Sequence, residues 1–234
     1  TAGFHLSGLY SPLGWCSWEQ LVDDFLRAKG DAPALKSFVN TRLAETWEED
    51  YAAKVSADGL LAKRLDYKPG VCPAGVVLLT AGVDVQDNRL AVSVWGWGAG
   101  ETGWLVWHQE LMGDPTLTEV WGQLDQVLAT EWETEGGKHL KVAQMAIDSG
   151  GHCTHEVYRY VRDRGAQGVV AIKGSSRRNS PAVGKGTKQD VNWRGKVIKR
   201  GVTLYSLGTD TIKTTLFGRL RHNETTGGLH FGLA

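Results

Sequence analysis

A mixed α/β fold is predicted for this 234-residue chain by three observations. Its first part carries helical periodicity with capping signals. From residue 76 the apolar pattern becomes that of strands. Beyond that point helices and strands alternate. Hydrophobic residues make up 41% and charged residues 22%, an ordinary globular composition that excludes wholesale disorder. No apolar run reaches the roughly 20 residues of a membrane span. The N-terminal TAGFHLSGLYSPLGWC lacks the basic segment and continuous apolar core of a signal peptide. The chain therefore reads as cytosolic.

In CSWEQLVDDFLRAKGD, Ser17 and Gln20 form a capping box that opens a helix, and Gly30 offers a stop. A second helix begins after Asp31, with Pro33 near its first turn and Leu35, Phe38, Val39 and Leu43 at helical spacing. The pattern weakens between residues 57 and 75, and DYKPGVCPAG, with two prolines and two glycines, reads as a linker. Residues 1–70 thus read as a helical segment and 71–234 as the main domain. Val76 to Val85 is a run suited to a strand buried on both faces. RLAVSVWGWG alternates and TGWLVWHQEL follows a turn, which completes an antiparallel meander. Residues 115–132 fit a helix, KVAQMAID a strand ending at Asp148, Thr154 to Arg164 a helix, and GVVAIKG a strand. GVTLYSLG reads as a further strand, TDTIKTTLFGRL as a helix and GGLHFG as a final edge. The order β-β-β-α-β-α-β is that of a ribonuclease H-like mixed sheet flanked by helices, here preceded by the N-terminal helical segment.

In such a sheet the strands that carry Asp84 and Asp148 lie side by side. A carboxylate in a buried strand is unfavourable unless paired or bound to a cation. Either aspartate alone fits a turn cap or a lysine partner. Together, in this element order, they predict magnesium or manganese, whose hard-oxygen preference they meet. Two such ions suit phosphodiester hydrolysis, with Asp84 and Asp148 as inner ligands. Gly150 and Gly151 leave room beside the site. His152, near a scissile phosphate, and Asp210, at a helix start, are reserve candidates. Lys173, at a strand end, can neutralise developing charge or position a phosphate. Asp87 and Asn88 are explained by turn chemistry, and Trp95, Trp97, Trp104 and Trp107 by packing.

Net charge is zero, which excludes a chain coated with positive charge for nucleic acid. The distribution is uneven, however. Residues 173–200 hold Lys173, Arg177, Arg178, Lys185, Lys188, Arg194, Lys196, Lys199 and Arg200 against one acid, Asp190. The segment reads either as a polyanion contact, with Lys173 to Lys196 as DNA-binding residues, or as a solvated loop. Three widely spaced cysteines, Cys16, Cys72 and Cys153, support neither a disulfide framework nor a thiolate zinc site.

LTAGVDVQDNRLAVSVWGWGAGETGWLV, MAIDSGGH, VVAIKGSS and LGTDTIKTTLFGRL, in that order, resemble the nuclease domain of the large terminase subunit of tailed bacteriophages, in the phage lambda-like branch. FHLSGLYSPLGWCSWEQLVDDFLRAKGD and FVNTRLAETWEE resemble the stretch that connects that family's ATPase domain to its nuclease. The resemblance implies an enzyme that cuts concatemeric viral double-stranded DNA with magnesium or manganese in the host cytoplasm. By motif, Asp84 and Asp148 correspond to metal-binding aspartates, and Lys173 lies in a shared motif next to the site. Implied partners are the small terminase subunit, the portal of the procapsid and the ATPase domain of the same subunit, with no membrane. The family carries a third acidic ligand on a helix beyond the point where this sequence stops, which implies a truncated C-terminal end. No G-x-x-x-x-G-K-[ST] phosphate loop occurs, so no ATPase activity is expected. Competing readings are a non-catalytic DNA-holding or docking module and another ribonuclease H-like enzyme such as a junction resolvase or transposase.

Overall fold

The computed structural model describes residues 6–12, 14–29, 32–45, 57–61, 64–151, 153–177, 180–193, 196–221 and 227–232. The chain divides into two compact units, Thr1–Lys54 and Val55–Ala234.

The first unit is a helical pair. The Ser17 hydroxyl accepts the Gln20 N–H at 3.1 Å and opens α1 (Trp18–Ala28), as the capping signal predicts. Helix α2 (Ala32–Arg42) packs on it through Leu21, Ala28 and Phe38. The Phe25 and Phe38 rings lie 5.7 Å apart, and Arg42 pairs with Asp24 at 2.9 Å. The expected stop at Gly30 lies outside the described residues.

The second unit opens with α3 (Ala57–Leu61) and β1 (Arg64–Leu65), short elements in the stretch that reads as a linker. Strands β2 (Leu78–Val85), β3 (Arg89–Trp97) and β4 (Gly103–Met112) form the predicted antiparallel meander. Helix α4 (Glu119–Ala129) follows. It starts four residues later than predicted, because the Asp114 carboxylate accepts the Thr116 N–H and hydroxyl at 2.8 and 2.7 Å and holds a turn there. Trp132, expected to end that helix, instead opens β5 (Trp132–Glu133), which pairs with β6 (His139–Leu140) in a separate small sheet. Then come β7 (Val142–Asp148), α5 (Thr154–Arg164) and β8 (Val169–Gly174).

The basic segment forms an antiparallel pair, β9 (Thr187–Trp193) with β10 (Lys196–Leu207), and not a loop. Helix α6 (Thr209–Arg221) and β11 (Leu229–Gly232) complete the described elements. The nine-stranded sheet has the order β1-β11-β4-β3-β2-β7-β8-β10-β9. Strands β7 and β8 run parallel to β2, so the meander and these two strands occupy the positions 3-2-1-4-5 of a ribonuclease H-like sheet. Strand β11 is not the edge, since β1 pairs outside it in parallel. None of the described helices is long and apolar enough to cross a membrane.

The sheet is covered unequally. Leu79, Ala81 and Val83 of β2 and Ile147 and Ala171 of its neighbours are buried in one core. Helices α4 and α5 contribute Trp121, Leu124, Val157 and Tyr160 to it. The alternate β2 residues, Thr80, Gly82 and Asp84, are half-buried or exposed. The expectation that this strand is buried on both faces is therefore corrected: it alternates, as a half-solvated strand does.

Candidate metal and nucleic-acid site

In the parallel β2–β7 pair, Val83 is in register with Ile147, and one further step aligns Asp84 with Asp148. Because side chains alternate along a strand, both carboxylates stand on the face opposite the buried Val83 and Ile147. Asp148 is in turn level with Ile172 of β8. The site thus lies at the carboxyl ends of parallel strands, where open α/β sheets bind ligands. On the same face a groove of about 380 Å³ is lined by Thr80, Gln144, Ala146, Ile172, Tyr205 and Leu207.

Asp84 is exposed and Asp148 half-buried. Desolvation is accordingly not what Asp84 must overcome. Gln86 donates its side-chain N–H to Asp84 Oδ2 at 2.9 Å, and the Gly150 N–H donates to Asp148 Oδ1 at 2.9 Å. Among the described residues neither carboxylate joins an ion pair.

Asp125 shows the opposite arrangement. It accepts the Tyr160 hydroxyl at 2.9 Å and two Arg164 N–H groups at 2.5 and 2.6 Å, with the guanidinium 4.0 Å above the Tyr160 ring. Burial pushes the Tyr160 hydroxyl's pKa well up, and the bond to Asp125 adds to the shift.

The loop after Asp148 is firmly tied. Buried Ser149 donates both its N–H and its hydroxyl to the Ile172 carbonyl at 2.9 Å. The Thr154 hydroxyl reaches the Ser149 and Gly151 carbonyls at 2.8 and 3.0 Å. A Cβ on Gly150 would come within 3.2 Å of Asp148 Oδ1. At the following turn burial raises the Cys153 thiol's pKa, and the charges of Glu156, Asp114 and Asp87 raise it further. Still, among the described residues no three His, Cys, Asp or Glu side chains are grouped to hold a metal.

Lys173 is exposed at the end of β8. It is in register with Ser206, one residue beyond Ile172 and hence on the other side of the pleat from the aspartates. Arg177, Lys185 and Lys188 are exposed. His152, Arg178 and Arg194 lie outside the described residues, as does the side chain of Lys196. Asp210 is exposed in the first turn of α6. Trp95 lies 6.1 Å from Trp97 and 5.8 Å from Phe231, which is the predicted packing role. Gln86 is signalled in the sequence only by its place two residues after Asp84.

A ribonuclease H-like sheet with two aspartates aligned at the ends of adjacent parallel strands, neither in an ion pair among the described residues, defines the class. Within it, the chain belongs to the family described as terminase large subunit gpA, endonuclease domain, which matches residues 1–232. It is 33% identical over 233 residues to the large terminase subunit of Escherichia phage lambda, covering 97% of this chain and 35% of that protein. To the large terminase subunit of Enterobacteria phage P21 it is 35% identical over 222 residues, covering 95% and 33%. The chain thus spans about a third of the length of these relatives. No solved structure matches.

Proposed function

We propose that this chain is a metal-dependent endonuclease of a viral DNA-packaging terminase, cleaving concatemeric double-stranded DNA by two-metal phosphodiester hydrolysis. The observation that carries this reading is the same-face alignment of Asp84 with Asp148, each with a neutral donor and, among the described residues, no cationic partner. Magnesium and manganese fit this donor set, because such ions are held by one or two carboxylates with water and substrate phosphate as further ligands. When bound they supply a Lewis acid that activates the attacking water and stabilises the leaving oxygen.

The chain's own groups do the rest. Asp84 and Asp148 hold the ions, Gln86 orients one carboxylate and the Gly150 N–H the other. Gly150 and Gly151 let a phosphate backbone approach. Lys173 and the basic residues Arg177, Arg178, Lys185, Lys188, Arg194 and Lys196 contact phosphates and fix the duplex without reading its sequence. His152 and Asp210 stay in reserve as auxiliary groups.

By the same reading residues 1–70 connect this nuclease to an ATPase domain of the same subunit, and 71–234 form the nuclease. ATP hydrolysis resides outside this chain. The small terminase subunit and the portal of the procapsid are its partners, and the host cytoplasm is where it acts. The test is plasmid nicking and linearisation in manganese, with EDTA and Asp84→Asn as controls. Cutting that stops with either control is expected. Undiminished cutting by Asp84→Asn contradicts the assignment, and salt-sensitive binding without any cutting selects the DNA-holding alternative.

A further inference from the structure

The basic pair β9–β10 contains an irregularity that the nuclease reading does not use. Val191 is in register with Ile198 and Gln189 with Val202, so Lys199, Arg200 and Gly201 together oppose the single residue Asp190. Such a bulge re-aims side chains and bends the strand. It is fixed at two points. Asp190 Oδ1 accepts the Arg200 N–H at 2.7 Å, which holds Arg200 at a φ of 53°, a region few non-glycine residues adopt. A Cβ on Gly201 would lie 2.9 Å from Cγ2 of the fully buried Val191, so the third bulge residue is seated against the core. Strain at one residue persists only where the surroundings over-determine it.

The one acid of this basic run therefore serves the backbone. Lys185, Lys188, Lys199 and Arg200 are exposed, and among the described residues none of them joins a carboxylate. Lysines on an edge strand also discourage edge-to-edge pairing, but that role requires no pinned bulge.

We propose that the bulge Lys199–Gly201 is a preset contact for the phosphate backbone of a duplex, with Lys199 and Arg200 touching phosphates and Asp190 as the positioning residue. This rests on the nuclease reading for its ligand. Tyr205 is level with Ile172 and Asp148, so Arg200 lies five residues down β10, two strands across from Asp148 and three from Asp84. That separation is roughly 20 Å from strand rise and spacing, near half a turn of duplex rise. One duplex can meet both places.

The test is anisotropy binding of a 30-base-pair duplex to the chain in EDTA, across a salt series, so that no cutting intervenes. Lys199→Ala/Arg200→Ala is expected to lower the salt slope by about 2. Asp190→Asn removes the charge but keeps an acceptor for the Arg200 N–H, while Asp190→Ala removes both. Charge alone predicts that both variants bind more tightly than wild type. The pin predicts that Asp190→Ala binds at least about threefold more weakly than Asp190→Asn at equal salt. An alanine variant as tight as the asparagine one, or an unchanged slope in the double variant, overturns the proposal. Should Asp190→Ala fail to melt cooperatively, the double variant's slope decides alone. Manganese-dependent cutting is measured in parallel. Intact cutting with an unchanged slope sinks the bulge contact and spares the nuclease, whereas a wild type that binds no duplex at any salt sinks both.

Discussion

The two sides of β2 contrast sharply in burial and in the residues they carry. Leu79, Ala81 and Val83 are at most 4% exposed beneath α4 and α5, while Asp84, one residue on, faces solvent. The helix-covered side holds the sheet together. The other carries Asp84, exposed, and Asp148, half-buried. Even the carboxylates follow this division: Asp125, on α4, is consumed by Tyr160 and Arg164, whereas among the described residues Asp84 and Asp148 each meet one neutral donor. Stability and chemistry are thereby assigned to different faces of one strand, and substitutions on either face should separate them.

The largest effect is expected when a carboxylate is moved one residue along. Val83→Asp places an unpaired charge in the core and should cost more than about 4 kcal/mol, seen as loss of cooperative melting. A stable Val83→Asp protein would break the two-face account. Next is Gln86→Ala, which leaves Asp84 unoriented. It should weaken metal affinity or cutting by roughly 10- to 100-fold with an unchanged melting temperature. Asp125→Ala should behave in the reverse sense, losing about 1–2 kcal/mol of stability because the Tyr160 hydroxyl is left buried without its acceptor. Its cutting per folded molecule should match wild type, as measured by activity at a temperature where both are folded.

The smallest effect concerns His230 on β11, whose ring centre lies 5.6 Å from that of Trp104. Burial holds its imidazole pKa below the usual value. With the folded-state value depressed, the unfolded chain takes up the proton first as pH falls. This contribution is therefore absent above the unfolded value of about 6.5 and becomes a loss of stability as pH drops through it. Melting temperatures at pH 8 and pH 5.5 should show part of that decline disappear in His230→Gln.

The aspartate pair was legible because local signals carried it. The meander, the strand ending at Asp148 and the helix Thr154–Arg164 each have their own periodicity, and element order then puts the two strands together. What escaped depends on non-local pairing. Strand β1 has two residues and no period, and it exists because Arg64 and Leu65 meet Phe231 and Gly232. The β5–β6 pair is equally short. Strand β9 was hidden by charge, since lysines on an edge look like a loop. Asp84's exposure was missed because Leu78 and Gly82, apolar residues on the open face, make the run look continuous. Gln86 needed the geometry itself, as its role is a single 2.9 Å bond.

The claim on which the rest depends is that Asp84 and Asp148 together bind a divalent cation without being needed for the fold. Calorimetric titration of manganese into wild type, Asp84→Asn and Asp148→Asn, each with a melting curve, tests it most directly. The account predicts saturable binding by wild type, its loss in both variants and melting temperatures that do not fall. Variants that bind manganese like wild type, or that lose binding only because they unfold, would contradict it.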